Sequence, residues 1–123
     1  MVDRKQELAA KLERLLKEAA EVSVALDQVE GRVQGIPHYS GVEARAHELG
    51  RQLSRKIQQR QLGEIAAQAP ATAKCPECGR RSALVFERRT VASIDGLVES
   101  LEPRGYCPYG RRSFFPATRS IGL

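Results

Sequence analysis

The sequence predicts an α+β protein with a long N-terminal helical hairpin followed by a small β-hairpin domain. Apolar residues recur at helical spacing through the first 69 residues. The stretch "APATAK" then marks a change to small residues and proline. Beyond it, two cysteine-containing turns flank a segment with partial strand-like alternation. We therefore divide the chain into a helical or coiled-coil scaffold (1–69), a linker (70–74) and a zinc-ribbon-like domain (75–123).

The first predicted helix carries a heptad seam. Its apolar residues alternate in steps of four and three, which is the pattern of a coiled coil. They are Leu8, Leu12, Leu15, Ala19, Val22, Leu26, Val29 and Val33. Asp3 and Gln6 have the spacing of a capping box at the start, and Gly31, Gly35 and Pro37 end the helix. The seam indicates either a homodimer or packing of the first helix on the second. We favour packing on the second helix, which gives a helical hairpin. Because two helices alone form an incomplete core, a partner is expected as well.

A second apolar stripe predicts the second helix. Ser40 and Glu43 form a capping box before it, and Pro70 ends it. The stripe consists of Val42, Ala46, Leu49, Leu53, Ile57, Leu62, Ile65, Ala66 and Ala69. Two helices of similar length with a short connection are typical of an antiparallel hairpin.

The cysteine half predicts a metal site. Cys75-Pro-Glu-Cys78-Gly79 has the form of a zinc knuckle, in which proline and glycine allow the tight turn between two thiolates. Asp95-Gly96 is a strong turn signal for a β-hairpin, which would return the chain to a second turn, "CPYGRRS", at Cys107. Gly110 stands there in place of a fourth cysteine. Three unrelated buried cysteines are the alternative interpretation.

The cysteine count and the N-terminus bear on the compartment and on catalysis. Three cysteines without an export signal indicate a reducing compartment, where metal binding is commoner than disulfides. The sequence has no apolar run of transmembrane length, so we expect a cytoplasmic protein without membrane contact. A redox role is not expected, because no βαβ pattern surrounds the Cys-x-x-Cys motif. An enzymatic role is not expected either, because the sequence shows no paired nucleophile and general base.

The cysteine half is also the basic half. Residues 70–123 hold 9 basic and 5 acidic residues, whereas residues 1–69 hold 11 and 10. Arginines near the knuckles can contact phosphate, which predicts salt-dependent DNA binding. The candidates are Arg80, Arg81, Arg88, Arg89, Arg104, Arg111 and Arg112. The alternative is a solubilising surface, with Glu87, Glu99 and Glu102 as neighbours.

The segments "CPECGRR", "ERRTVASIDGLVESLEPRGYCP" and "RRSFFP" resemble the N-terminal region of bacterial insertion-sequence transposases of the ISKra type, which belong to the DDE class. The resemblance implies that Cys75, Cys78 and Cys107 match three zinc ligands and that Gly110 matches the fourth, so that Zn²⁺ binding is weakened or lost. It also implies DNA as partner, namely insertion-sequence ends, and a nucleoid location when DNA is bound.

The same resemblance implies that the chain is not an enzyme. The catalytic carboxylates of such transposases lie in a downstream ribonuclease-H-like domain, and the sequence ends near where that domain would begin. We therefore expect a truncated, non-catalytic DNA-binding module or remnant of a mobile element. The alternative is a helical oligomerisation or protein-interaction module without DNA binding.

Overall fold

A computed structural model, which describes residues 3–33 and 35–123, has the predicted α+β architecture. Two long helices, α1 and α2, come first, and small antiparallel sheets follow them. The elements are α1 (Arg4–Val29), α2 (Tyr39–Ala67), β1 (Thr72–Lys74), β2 (Arg81–Ala83), β3 (Val85–Ser93), β4 (Gly96–Cys107), β5 (Arg112–Phe114) and α3 (Pro116–Ile121). β1 pairs with β2, and β4 lies between β3 and β5 in the second sheet.

The chain divides into two compact units, residues 1–44 and 45–123. This boundary lies within α2, ahead of the segment 70–74 that the sequence suggested as a linker. That segment contains strand β1, whose three residues pair with β2. The longer part of α2 therefore belongs to the same compact unit as the sheets.

The first unit contains α1, which begins and ends where the sequence indicates but buries none of its residues. The Asp3 side chain accepts a hydrogen bond of 2.8 Å from the Gln6 backbone N–H and so caps the helix. Gly31 follows the C-terminus with φ of 71°, a conformation that favours glycine. The heptad seam is half exposed, and its last member, Val33, lies beyond the helix.

The cap of α2 differs from the prediction. The helix begins at Tyr39, and His38 rather than Ser40 holds the capping position. The His38 ring nitrogen Nδ1 accepts from the Ser40 backbone N–H at 3.2 Å, and Nδ1 also lies 2.7 Å from the Ser40 hydroxyl. Imidazole thus supplies the acceptor that we expected from a serine hydroxyl, because the helix starts one residue before the predicted cap.

In the second unit, α2 packs on the β3–β4 hairpin through a polar contact and an apolar one. The Ser54 hydroxyl donates to the Asp95 carboxylate at 2.5 Å, and Arg55 donates to the Asp95 carbonyl at 2.8 Å. Further along, Ala66 is buried, and Leu62 and Ile65 line a small cavity with β3, β4 and α3. The predicted single stripe is therefore divided, since Leu49, Leu53 and Ile57 remain exposed.

A β3–β4 hairpin forms where the sequence predicts one, but its two-residue loop lies one position before the predicted Asp95-Gly96 turn. Its register runs from Val85 opposite Arg104 to Ser93 opposite Gly96, which leaves Ile94 and Asp95 as the loop. Gly96 has φ of 114° and closes this tight connection. The hairpin returns the chain to Cys107 at the end of β4, and this brings the two cysteine turns together.

An internal ion pair joins the hairpin to α3. The Arg89 guanidinium donates to both carboxylate oxygens of Glu102 at 2.9 Å and to the Thr118 hydroxyl at 2.9 Å. Glu102 is buried, and Thr118 is buried in the short helix α3. Because a buried carboxylate requires a charged partner, this arginine is part of the fold of the second unit.

Candidate metal centre

The three cysteines converge as the sequence predicts. Their Sγ atoms all lie within 4.8 Å of one another, and the Sγ atoms of Cys78 and Cys107 are 3.4 Å apart. Cys75 and Cys107 are buried, whereas Cys78 is exposed at the edge. Phe114 packs against the two buried cysteines and covers that side of the cluster. Three thiol groups at this separation are suited to binding a single soft or borderline metal ion.

The first cysteine turn is built by the pairing of β1 and β2. The Cys75 N–H donates to the Arg80 carbonyl at 2.8 Å, and the Gly79 N–H donates to the Cys75 carbonyl at 2.9 Å. Gly79 has φ of 74°, in the left-handed region. These bonds curl the backbone so that Cys75 and Cys78 place their sulfur atoms on the same side.

The second turn repeats the first at an offset of 32 residues. Cys107 pairs with Arg112 across the β4–β5 ladder, as Cys75 bonds to Arg80 across the β1–β2 turn. Arg111 has φ of 52°, the conformation that Gly79 adopts in the first copy. Gly110 therefore takes the position of Cys78, which agrees with the assignment of Gly110 to the missing ligand.

Two side-chain contacts link the turns reciprocally. The Arg80 guanidinium lies 3.5 Å from the centre of the Tyr109 ring, and Arg112 donates to the Glu77 carboxylate at 2.5 Å. Arg80 corresponds to Arg112, and Glu77 to Tyr109, under the same offset. The sequence analysis missed these contacts, although aligning the two turns by their first cysteines would have placed the four residues in equivalent positions.

The backbone of the second turn favours a thiolate. The Gly110 N–H bonds to the Cys107 sulfur and is the largest cause that lowers the pKa of this thiol to about 7, with Cys78 as the second cause. At Cys78 the Arg80 N–H lowers the pKa, but the hydrogen bond with Cys107 and burial outweigh it, and the pKa is raised. Of Cys78 and Cys107, Cys107 is thus the thiol that more readily loses the proton that metal binding displaces.

The seven candidate arginines fall into two groups. Carboxylates hold three of them, namely Arg89 through Glu102, Arg104 through Glu87 and Arg112 through Glu77. The other four are all exposed and have no ion pair among the described residues. Two of them, Arg88 and Arg111, also have no other described side-chain partner. The four are Arg80, Arg81, Arg88 and Arg111.

The donor set fits a thiophilic divalent ion. Sulfur ligands from two knuckle turns are the chemistry of structural Zn²⁺ sites, though such sites usually have four. Comparison of the chain with family models, curated proteins and solved structures gives no match. The resemblance to transposases therefore stays a prediction. Within the described residues, no helix has the length and apolar character that crossing a membrane requires.

Proposed function

We propose that residues 45–123 form a metal-stabilised, zinc-ribbon-like module that binds DNA through its basic surface and catalyses no reaction. The observation that carries this proposal is the convergence of three Sγ atoms within 4.8 Å from two structurally equivalent turns. Zn²⁺ is the ion that this kind of turn pair usually holds. Cys75, Cys78 and Cys107 would be its protein ligands, and the ion would supply structural cross-linking between the turns.

The charge of the surface supports a nucleic-acid partner. The second half of the sequence has a net excess of four positive charges, and Arg88 and Arg111 are exposed with their guanidinium groups uncommitted. Arginines of this kind bind phosphate oxygens bidentately. Arg80 and Arg81 follow the first cysteine turn and are exposed as well. The resemblance to insertion-sequence transposases makes DNA, rather than RNA, the partner of choice.

DNA binding can be measured by fluorescence anisotropy of labelled duplex DNA with the zinc-loaded full chain. The variant with Arg88→Ala and Arg111→Ala should bind more weakly, and the salt slope of its log affinity should fall by about two, close to one per lost phosphate contact. A matched control carries Arg14→Ala and Lys17→Ala, which remove the same charge from exposed positions on α1.

Two results would overturn the DNA proposal. One is the absence of binding by the wild-type chain at low salt. The other is an equal loss of affinity in the two double variants, because the effect would then reflect net charge rather than the surface around the cysteine turns.

A second candidate function is oligomerisation through α1. The exposed heptad seam favours it: Leu8, Leu12 and Leu15 are each about half exposed although they lie on one helical face. A coiled coil with a second copy would cover these side chains. This function would be that of an oligomerisation or protein-interaction module without DNA binding.

A further inference from the structure

We propose that the metal centre keeps an open coordination position at Gly110 that accepts an exogenous ligand, a low-molecular-weight thiol. The inference rests on the metal half of the proposed function and is independent of its DNA half. It follows from the number of protein donors, from the space at Gly110 and from the exposure of that edge of the site.

The protein supplies three donors and no fourth. Among the described residues, no histidine, aspartate or glutamate joins the group that Cys75, Cys78 and Cys107 form. The nearest carboxylate in sequence, Glu77, is bound to the Arg112 guanidinium. Zn²⁺ and Co²⁺ with three protein ligands complete a tetrahedron with a ligand from solution. An ion bound here must therefore take its fourth ligand from outside the described protein.

The backbone at Gly110 leaves room for a side-chain atom without a clash. A Cβ atom built on Gly110 would meet the Arg112 side chain at 3.5 Å, with its next contacts at 3.8 and 3.9 Å, which is ordinary van der Waals contact. Gly110 and Cys78 are both exposed, whereas Cys75 and Cys107 are buried on the other side. A small ligand can thus approach the site from its exposed side. On that side the first turn presents Cys78, whereas Gly110 in the second turn presents no side chain.

Chemistry selects a thiolate as the occupant. The three existing ligands are sulfur, and a fourth sulfur completes the set that structural zinc sites of this kind have. The incoming thiol releases its proton to solvent as its sulfur binds the ion, and the solvent ligand leaves, so no oxidant or reductant is required.

Cobalt substitution tests this proposal, since the visible absorption of Co²⁺ reports the number of sulfur ligands. We would titrate the Co²⁺-loaded full chain with β-mercaptoethanol and measure cobalt content after gel filtration. The wild-type spectrum should change saturably towards that of a four-sulfur site while cobalt is retained. Gly110→Cys should have that spectrum from the start and should not respond. Gly110→Ala, which adds a Cβ without sulfur, should respond like the wild type.

Affinity gives a second measurement on the same proteins. Without added thiol, Gly110→Cys should bind Co²⁺ at least about tenfold more tightly than the wild type, since even an outer-shell partner contributes about 10–100-fold. Saturating thiol should reduce this difference. An unchanged wild-type spectrum, loss of cobalt to the thiol, or equal responses of wild type and Gly110→Cys would each overturn the proposal. The DNA titration is a separate measurement, so failure of one leaves the other standing.

Discussion

At the scale of single residues, Gly105 shows how the cover of the metal centre depends on a missing side chain. The β4–β5 register places Gly105 directly opposite Phe114. A Cβ atom at Gly105 would overlap the Phe114 ring, because several ring atoms occupy its position. Phe114 in turn packs on Cys75 and Cys107. The glycine therefore allows the ring to lie flat against the strand and to shield the buried sulfur atoms.

Gly105→Ala should destabilise the second unit by displacing this ring. We expect a loss of about 1–3 kcal/mol, the usual cost of overpacking a fitted contact, measured by denaturant unfolding. Gly63→Ala is the matched control: its added Cβ meets nothing within 4 Å, and alanine should stabilise that helical position by about 0.5–1 kcal/mol. Equal stability of Gly105→Ala and the wild type would show that Phe114 does not need this packing.

At the scale of secondary-structure elements, α1 is a helix of 26 residues that buries none of them. Most helical stability in proteins comes from the packing of an apolar face rather than from intrinsic propensity. We therefore expect a partner to cover the exposed seam, and a second copy of the same seam is the simplest one. Val22 and Val24 form a matched pair for testing the seam. Both side chains are 58% exposed, but only Val22 belongs to the heptad series.

Sedimentation velocity of the full chain over a range of concentrations measures this association. We expect a concentration-dependent dimer that Val22→Lys weakens, because a charge would be placed in the apolar seam. Val24→Lys makes the same chemical change at the same exposure but off the seam, and should leave the dimer unchanged. A wild-type chain that stays monomeric throughout would contradict the second candidate function.

α1 and the presence of the β3–β4 hairpin were predictable because their signals are local, although the hairpin loop lies one residue before the predicted position. A heptad series and an Asp-Gly turn determine a helix and a hairpin without reference to the rest of the chain. The packing face of α2 could not be predicted in this way. Asp95 at the hairpin loop attracts Ser54 and Arg55, so a polar side of α2 packs there and Leu53 stays exposed. Such a contact between residues about 40 positions apart leaves no periodic trace.

At the scale of the whole molecule, the metal site was predictable and the fate of the arginines was not. Two similar cysteine turns around a hairpin determine which thiols meet. Arginine positions give no indication of which guanidinium groups the fold itself uses. The Arg89–Glu102 pair, for example, arises from cross-strand register and from the position of α3. Local motifs therefore predict the cysteine cluster of the second unit, whereas tertiary packing determines which of its arginines are held in ion pairs.

The second unit has little apolar material with which to stabilise itself, and this makes its stability dependent on metal. Its buried apolar side chains are Ala66, Cys75, Val98, Pro103, Cys107 and Phe114, two of which are candidate ligands. In small domains of this kind, metal binding supplies much of the folding free energy. Chelation should therefore lower the melting temperature of the wild-type chain. In zinc, Gly110→Cys should melt at a higher temperature than the wild type, and Gly110→Ala at the same temperature as the wild type. Calorimetry with and without chelator measures all three. Equal melting of the wild-type chain with and without chelator would show that the turns hold together by their own contacts, Arg80 on Tyr109 and Arg112 on Glu77, without the ion.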